Sequence, residues 1–208
     1  DATASARQRD RARPEWSRLD HLCATAACLV ELALQQSDRF GVIVVSGEGV
    51  QLVPAGHGPR QRDRVHLLLR QVQANGTWPP VTALAPVWER VQASDLLVAL
   101  GDGFDEGGTV LLERLAAARR EVLHLQVLTA EERDFPFTEG HRFRDPETGE
   151  EVLGDGRAIR EEYLARFDAA QRALQARLQS SGIVHATGYL DQPLDQPLRA
   201  LLGAGGGA

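Results

Sequence analysis

The chain alternates between stretches with helical spacing and stretches with strand-like spacing of apolar residues. Between about Trp16 and Gln36, apolar side chains recur every three or four positions, which places them on one face of a helix. The same spacing predicts further helices over residues 59–74, 79–93, 107–120, 157–180 and 196–202. Short apolar runs predict strands over residues 41–45, 50–53, 95–100, 122–128 and 183–187. Residues 129–156 follow neither pattern and are predicted to be irregular, with a polar hairpin tip at residues 145–151.

Residues that favour turns separate these elements. The segment 46–49 contains two glycines, whose backbone tolerates the angles of a tight hairpin. The two strands on either side of it are therefore predicted to pair antiparallel. Pro59 is expected to open the second helix, and Asn75-Gly76 to close it, because both residues accept a left-handed conformation.

The middle of the chain predicts a parallel sheet. Residues 95–100 are apolar at almost every position and lead into a glycine, as expected for a parallel strand buried on both faces. A helix and a second apolar strand follow, in the order of a parallel strand–helix–strand unit. This alternation predicts an α/β fold in which helices cover both faces of the sheet.

Size and composition are those of one ordinary domain. With 208 residues, 43% of them apolar, the chain can bury a core without disulfides. We expect one domain over residues 1–202, followed by a Gly/Ala tail over residues 203–208. The formal net charge of −6 argues against nucleic acid as a partner. No run approaches the roughly 20 apolar residues that span a bilayer, and we expect a cytoplasmic protein without membrane contact.

The two cysteines, Cys23 and Cys28, lie five positions apart within the first predicted helix. They would point to different faces of that helix, which fits neither a disulfide nor a zinc pair. We therefore expect buried free thiols.

Acidic and hydroxyl residues near two predicted strands suggest a divalent-metal site. Residues 1–5 spell D-x-T-x-S, in which Asp1, Thr3 and Ser5 can point the same way from a loop. Asp102 comes directly after the strand 95–100 and its glycine. Oxygen ligands of this kind suit Mg²⁺ or Mn²⁺. Because ligands gather beyond the carboxyl ends of the strands in such sheets, the two segments are expected to meet at one edge.

D-x-T-x-S with a distant threonine and a distant aspartate resembles the metal-ion-dependent adhesion site of the von Willebrand factor A fold. The chain as a whole resembles more closely the bacterial domain of unknown function 58 family. Residues 36–41 match that family's entry from helix to strand, and residues 135–137, residues 142–150 and the helix of Tyr163 match its later signature. The resemblance implies a Rossmann-like three-layer von Willebrand factor A fold, with a mostly parallel sheet and one antiparallel edge hairpin.

The resemblance also implies a metal site built from five residues: Asp1, Thr3, Ser5, Thr77 and Asp102. The three hydroxyl residues would bind Mg²⁺ or Mn²⁺ directly, and the two aspartates would hold coordinating waters. Thr3 stands where the family usually has serine and keeps the hydroxyl. Thr82 is an alternative to Thr77, although Gly76 before Thr77 matches the family's Gly-Thr better.

A protein-interaction module without catalytic activity is the function that the resemblance implies. In such a domain the metal keeps one open position, which an Asp or Glu side chain of an acidic protein ligand completes. Relatives are associated with MoxR-type AAA+ ATPases, which implies that the protein acts as an adaptor or co-chaperone.

The start of the chain is expected to be the continuation of a longer protein. It has no initiator methionine, and Asp1 resembles the end of a strand. In the fold that the chain resembles, that upstream strand would be the central one. We therefore expect the native protein to continue toward its N-terminus.

Each candidate residue also has a simpler interpretation. Residues 1–5 would be a disordered terminus, Thr77 would cap the helix that follows it, and Asp102 would belong to a solvated turn. The arginines at positions 7, 9, 11 and 13 would form a solvated loop, or would steer an acidic partner.

Enzymatic alternatives fit the sequence less well. A Mg²⁺-dependent phosphohydrolase of an α/β fold would need D-x-D, but Thr3 occupies the second acidic position and the chain contains no lysine. A serine hydrolase would need G-x-S-x-G, and the first glycine is absent around Ser46.

Overall fold

The computed structural model describes residues 1–205, which form a mixed α/β fold. In chain order the helices are α1 (Arg18–Gln35), α2 (Pro59–Gln71), α3 (Ala85–Arg90), α4 (Glu106–Ala117), α5 (Ala130–Asp134), α6 (Gly156–Ser180) and α7 (Asp195–Gly205). The strands are β1 (Phe40–Ser46), β2 (Gly49–Gly56), β3 (Leu96–Gly101), β4 (Glu121–Leu128), β5 (Gly140–Arg144), β6 (Glu151–Asp155) and β7 (Val184–Tyr189). Short 3₁₀ helices cover Ala4–Arg7 and Val81–Leu84.

The first helix begins where a capping box fixes its N-terminus. The Ser17 hydroxyl accepts a hydrogen bond from the Asp20 nitrogen at 3.2 Å, and the Asp20 carboxylate accepts from the Ser17 nitrogen at 2.9 Å. Both cysteines of this helix are free thiols. The prediction that both are buried is wrong for Cys28, which is exposed because it lies on the solvent side of the helix, and Cys23 is only half-buried.

The strands pair as the sequence predicts. β1 and β2 form an antiparallel hairpin, with Val45 opposite Val50 across the tight turn. β3, β4 and β7 form a parallel sheet in the order β3-β4-β7, with Val98 opposite Leu123 and Leu125 opposite Ala186. β4 is therefore the central strand of this sheet.

Helices cover both faces of the parallel sheet. On one face, Leu123, Leu125 and Val127 of β4 pack with Leu22 of α1 and Leu201 of α7. On the other face, Val122 packs in a cluster with side chains of α4 and α6: Leu111, Leu112, Leu115 and Leu178. Alternation along β4 sends successive side chains to opposite faces, so this strand contributes to both halves of the core.

The parallel sheet and the antiparallel hairpin are present as predicted, but in the described part of the chain no strand pairing joins the two. Among residues 1–205, β1 pairs only with β2, and β3 pairs only with β4. An apolar groove of about 660 Å³ lies between the facing edges of β1 and β3. The prediction that β3 is buried on both faces is also wrong. This strand lies at the edge of its sheet, and Leu96 is 51% exposed.

Two predicted helices are shorter than expected. α2 ends at Gln71 instead of residue 74, because Val72 takes an extended backbone and the chain turns back to the start of the protein, where the Asn75 nitrogen donates to the Ala2 carbonyl at 3.0 Å. The helix predicted from residue 79 starts as a 3₁₀ turn and becomes α-helical only at α3, because a proline disfavours helical angles in the residue before it and Pro80 follows Pro79.

The segment predicted to be irregular contains regular structure. Residues 129–156 include α5 and the antiparallel hairpin of β5 and β6, whose tip is the polar segment at residues 145–150. The predicted tail at residues 203–208 is also corrected in part, because α7 continues to Gly205, while residues 206–208 lie outside the described part of the chain.

Candidate functional site

The first five residues lie at the carboxyl ends of β1 and β3. The Asp1 nitrogen donates to the Leu100 carbonyl of β3 at 2.9 Å, and the Ala2 nitrogen donates to the Val45 carbonyl of β1 at 2.7 Å. The Ala4 nitrogen donates to the Gly76 carbonyl at 2.8 Å. This ordered packing contradicts the interpretation of residues 1–5 as a loose terminus.

Asp1 lies against Gly101, the residue before Asp102. A Cβ atom on Gly101 would lie 3.0 Å from the Asp1 Cβ and 3.1 Å from its Oδ2, so the glycine makes room for the carboxylate. The other carboxylate oxygen accepts a hydrogen bond from the Thr3 nitrogen at 2.9 Å. The absence of a side chain at Gly101 thus allows the two predicted aspartates to sit at the same strand end.

Two hydroxyls lie side by side in this loop. Thr3 and Ser5 are 2% and 9% exposed, and their hydroxyl oxygens are 3.0 Å apart. An octahedral Mg²⁺ with oxygens at about 2.1 Å holds neighbouring ligands roughly 3 Å apart, so the pair matches one edge of such a coordination sphere. Within residues 1–205, no group of three or more His, Cys, Asp or Glu side chains is arranged to hold a metal ion. The donors of this site include hydroxyls, which suit a hard cation.

Asp102 is buried rather than part of a solvated turn. Its side chain is 4% exposed, and its Oδ2 accepts a hydrogen bond from Arg18 Nη1 at 2.8 Å. Its Oδ1 accepts from the Phe104 nitrogen at 3.1 Å. The same Arg18 nitrogen donates to the Ser5 carbonyl at 3.1 Å, which places Asp102 beside the loop of residues 1–5.

Arg18 and Glu132 belong to the site although the sequence analysis assigns them no role. The Arg18 side chain is 1% exposed, and its Nη2 donates to both carboxylate oxygens of Glu132, at 2.7 and 2.6 Å. Glu132 also accepts a hydrogen bond from the Thr129 nitrogen at 2.7 Å at the start of α5. Sequence signals for this pair are weak, because Arg18 is one of 23 arginines and its acidic partners are 84 and 114 positions away.

Of the five predicted ligands, Thr77 lies on a neighbouring loop, outside the segments of residues 1–5 and Asp102. It is exposed, and it follows Gly76, whose carbonyl binds the Ala4 nitrogen. Thr82, the alternative, is also exposed and lies in the 3₁₀ helix Val81–Leu84. The structure thus brings Asp1, Thr3, Ser5 and Asp102 together and places Thr77 on the adjoining loop.

Close packing of two backbone segments fixes the position of the loop that contains Gly76. A Cβ on Gly47 would lie 2.5 Å from the Gly76 Cα, and the Gly47 nitrogen donates to the Asn75 carbonyl at 2.9 Å. Gly76 has a positive φ of 59°, which disfavours any side chain there. Both glycines are therefore required for the loop that supports residues 1–5.

Replacing Gly47 by alanine is expected to lower the free energy of unfolding by about 1–3 kcal/mol, because the new methyl group overlaps the Gly76 backbone. Urea denaturation measures the change. Gly140→Ala is the matched control, since a Cβ there meets nothing within 4 Å, and it should change stability by less than about 0.5 kcal/mol. Equal effects of the two substitutions would contradict the packing argument.

The side chains of the arginine run after the site are exposed, and each contacts a carbonyl group or a ring of a neighbouring segment. Arg7 Nε donates to the Ala74 carbonyl at 2.7 Å, and Arg13 Nη1 donates to the Leu190 carbonyl at 3.2 Å. Arg9 Nη1 donates to the Pro14 carbonyl at 2.6 Å, and the Arg11 guanidinium lies 5.6 Å from the centre of the Phe137 ring. These contacts give the run a structural role.

Asp10 and Glu131 connect the loop of the arginine run to α5. Asp10 is 2% exposed, and its Oδ1 accepts a hydrogen bond from the Ala130 nitrogen at 2.7 Å. Burial, and then hydrogen bonding with Glu131, raise the pKa of Asp10 to about 6. The loop is thus held in part by a carboxyl group that takes up a proton in mildly acidic solution.

Below the site, a polar cluster lies on the face of the sheet that α6 covers. Gln126 Nε2 donates to the Asp102 carbonyl at 2.8 Å, and Thr187 Oγ1 donates to Gln126 Oε1 at 3.1 Å.

The rings of His124 and His185 stack, with their Nδ1 atoms 3.1 Å apart. Burial, and then the charge of His185, lower the pKa of His124 to about 3. Both rings are therefore neutral at pH 7, which allows one Nδ1 to donate to the other.

Acidification is expected to destabilise the protein through His124. The unfolded imidazole has a pKa near 6.5 and the folded one about 3, so the unfolded chain binds more protons between these values. The contribution of His124 to the free energy of unfolding is fully present above pH 6.5. It is lost as the pH falls toward 3, by up to about 1.4 kcal/mol per pH unit.

The measurement is urea unfolding at several pH values between 7 and 5, in the wild type and in His124→Gln. Asp10, with a raised pKa, gives a slope of the opposite sign, so the difference between the two proteins reports His124. His57→Gln, at an exposed position, is the control for replacing a histidine by glutamine. Identical slopes in wild type and His124→Gln would show that this ring does not titrate as expected.

An acidic residue from the β5–β6 hairpin also reaches the site. Glu147 is half-buried near the acidic side chains of the site. Burial raises the pKa of Glu147, the Thr3 side chain lowers it, and the nearby carboxylates of Asp102, Asp105 and Asp145 raise it further. No sequence motif marks this residue, and its place near the site follows only from the tertiary structure.

Fold and site together define an α/β protein with carboxylates and hydroxyls gathered at the carboxyl edge of its strands. The chain belongs to the family described as Protein of unknown function DUF58, which it matches over residues 1–174. No curated protein matches it. None of the helices among residues 1–205 combines the length and the apolar character needed to cross a bilayer.

Two solved structures are similar to the chain. The conserved hypothetical protein BatB from Bacteroides thetaiotaomicron is 16% identical with a TM-score of 0.49, over 88% of this chain and 95% of that one. An aerotolerance-related membrane protein from Bacteroides fragilis NCTC 9343, with multiple mutations to serines, is 17% identical with a TM-score of 0.50, over 86% of this chain and 96% of that one. At this identity the second likeness concerns the fold alone.

Proposed function

We propose that the protein is a von Willebrand factor A-like, metal-dependent protein-interaction module without catalytic activity. The observation that carries the proposal is the meeting of Asp1, Thr3, Ser5 and Asp102 at one strand edge, with two buried hydroxyls 3.0 Å apart. Oxygen donors in this arrangement suit Mg²⁺ or Mn²⁺.

The groove between β1 and β3 supports the three-layer fold in this proposal. Apolar side chains of both strands line it, among them Val42, Val44, Leu97 and Ala99. Asp1 and Ala2 already bridge the two strand ends through hydrogen bonds to Leu100 and Val45. An extended segment that precedes Asp1 and runs parallel to both strands would pair with their free edges. It would join the hairpin and the parallel sheet into one sheet.

In the proposed site, the hydroxyls of Thr3 and Ser5 contact the cation directly, with Thr77 on the adjoining loop as the third hydroxyl. Asp1 and Asp102 hold coordinating waters. Arg18 already neutralises Asp102 through a contact of 2.8 Å, which leaves the hydroxyl pair as the main direct donors. The cation would supply a positive charge to which a carboxylate can bind.

The proposed ligand is an acidic side chain of another protein. A carboxylate is a hard oxygen ligand that completes the coordination of Mg²⁺ or Mn²⁺. From the family resemblance, we propose a MoxR-type AAA+ ATPase as the partner and an adaptor or co-chaperone role. Binding between the two proteins should then require the divalent cation and be lost in a chelator.

Thr3→Val should weaken the binding of Mn²⁺ to the full-length protein at least about tenfold, because valine keeps the shape of threonine but removes a direct ligand. Isothermal calorimetry measures the affinity, and added carboxylate should strengthen it. Thr138→Val, at an exposed position outside the site, is the matched control. Thr77→Val and Thr82→Val show which of these two threonines contributes. Absence of saturable Mn²⁺ binding to the wild type would refute the metal site, and any partner would then be bound by other surfaces.

A further inference from the structure

A cluster of basic side chains lies at the opposite end of β1 from the strand-end site. Arg39 directly precedes β1, and Arg60 and Arg64 lie one turn apart on α2. Together with His57, these arginines line a concave pocket of about 470 Å³ to which no carboxylate contributes. Because the chain has a net charge of −6, this pocket is opposite in sign to the protein as a whole.

A buried glutamine fixes the backbone around the pocket. Gln61 is 6% exposed, and its Nε2 donates to the Phe40 carbonyl at 3.0 Å and to the Pro54 carbonyl at 2.7 Å. These two hydrogen bonds fasten the first turn of α2 to both strands of the β1–β2 hairpin. A Cβ on Gly56 would lie 2.9 Å from Gln61 Oε1, so the glycine makes room for the glutamine. The arginines are therefore placed around the pocket by well-connected backbone.

The pocket arginines are not neutralised by this protein's own carboxylates. Among residues 1–205, none of the three forms an ion pair. Arg62 of the same helix differs, because its guanidinium binds Asp63 at 2.8 Å and lies 4.0 Å from Glu31. Arg39 Nη2 donates to the Ala55 carbonyl at 3.2 Å, which holds this guanidinium at the edge of the pocket. Like charges that share one pocket repel, and a bound anion would offset that repulsion.

A phosphate dianion is the ligand that these groups suit best. A guanidinium presents two parallel N–H donors that match two phosphate oxygens, and the three oxygens of a phosphate monoester can be shared by several arginines. Such a group carries about −1.5 to −2 charges at pH 7, whereas a carboxylate carries one and would leave more positive charge unmatched. The first turn of α2 has no acidic side chain, so the positive end of this helix adds to the attraction.

We propose that Arg39, Arg60, Arg64 and His57 form a binding site for the phosphate group of a small phosphate ester. The volume of the pocket falls within the range of small-molecule sites, roughly 300–1,000 Å³, and leaves room for the organic group that carries the phosphate. The three arginines are exposed, so binding is reversible and weakens as salt is added. This site requires no divalent cation and is independent of the metal-dependent function proposed above.

The test is calorimetry of inorganic phosphate and glycerol 3-phosphate with the full-length wild type, Arg64→Gln and Arg70→Gln at low salt. Arg70 is exposed in the last turn of α2 and does not line the pocket, so its substitution removes the same charge and is the matched control. We expect saturable binding that is about tenfold weaker in Arg64→Gln only, because charge-assisted hydrogen bonds are lost. Sodium acetate should bind at least about tenfold more weakly than phosphate.

Urea unfolding separates loss of the site from loss of the fold. Arg64 and Arg70 are both exposed, so both variants should unfold at the urea concentration of the wild type. The pocket is refuted as a phosphate site if the wild type binds neither phosphate nor its esters. It is also refuted if Arg70→Gln weakens binding as much as Arg64→Gln, because the attraction would then be one of general charge.

Vesicles distinguish a soluble phosphate ester from a lipid headgroup with the same chemistry. Phosphatidic acid in phosphatidylcholine vesicles presents a phosphate monoester at a membrane surface, and sedimentation of the protein with these vesicles reports binding. Binding of glycerol 3-phosphate that requires Arg64 would support the soluble ester. Sedimentation that requires Arg64, without binding of glycerol 3-phosphate, would overturn the soluble ester and assign the pocket to the headgroup.

Discussion

Replacing Arg18 by methionine is expected to lower the free energy of unfolding by about 3–5 kcal/mol, as found when one partner of a buried ion pair is removed. The Arg18 side chain is 1% exposed and binds Asp102, whose side chain is 4% exposed, at 2.8 Å. Methionine keeps most of the apolar length but leaves the Asp102 carboxylate buried without its counter-charge. Glu132 and the Ser5 carbonyl lose hydrogen bonds as well.

Urea denaturation of Arg18→Met measures this cost against Arg199→Met. Arg199 pairs with Asp195 at 2.9 Å, but both side chains are largely exposed, and the loss of such a pair costs less than about 1 kcal/mol. The double variant Arg18→Met with Asp102→Asn should recover part of the stability, because no buried charge then remains unpaired. A cost for Arg18→Met as small as that for Arg199→Met would show that Asp102 is hydrated in solution.

Replacing Phe135 by alanine is expected to cost about 3–5 kcal/mol and to loosen the β5–β6 hairpin. Phe135 is 4% exposed and lies between α5 and the hairpin, where its ring packs on Phe137, Phe143 and Tyr163. Its backbone is left-handed with φ of 42°, a strained conformation for a residue with a side chain, and the ring contacts offset that strain. Alanine keeps the strain and removes the contacts.

Thermal or urea unfolding gives the stability of Phe135→Ala, and limited proteolysis reports the hairpin. Phe104→Ala is the matched control, because the Phe104 ring is 56% exposed and its substitution should change stability by less than about 1 kcal/mol. We expect cleavage within residues 138–155 to become faster in Phe135→Ala but not in Phe104→Ala. Unchanged cleavage would show that other contacts hold the hairpin.

Both substitutions act on the connection between α5 and the site. Glu132 of α5 binds Arg18, and the Glu132 carbonyl accepts a hydrogen bond from the Tyr163 hydroxyl at 3.0 Å. Tyr163 in turn stacks on Phe135 at the base of the hairpin. The base of the hairpin is therefore connected to the site through Glu132.

Local patterns were sufficient for most helices and strands. The turn at residues 46–49 and the apolar run of β3 depend on neighbours within a few positions, and both were predicted from the sequence. Wrong boundaries occurred where a distant contact decides the backbone. α2 ends early because Asn75 must reach Ala2. The hairpin tip at residues 145–151 was predicted, but the strands β5 and β6 beside it were missed, because β5 is short and Val152 and Leu153 of β6 are 64% and 77% exposed.

Most of the candidate ligands could be predicted, because they directly follow a strand or a residue that resembles the end of a strand. Asp1, Thr3, Ser5 and Asp102 meet at one edge, as the rule for parallel sheets implies. Arg18 and Glu132 could not be found in this way. The partners of Arg18, Asp102 and Glu132, lie 84 and 114 positions away along the chain, and no spacing rule connects them.

The sequence by itself determined the order of helices and strands, the α/β class and the hydroxyl and carboxylate residues of the candidate site, because these depend on local periodicity and on the ends of strands. The tertiary structure alone decided which charge neutralises Asp102 and, within residues 1–205, which strand edges of β1 and β3 face the apolar groove. Burial and ion pairing depend on which distant segments come together, and that information is spread over the whole chain.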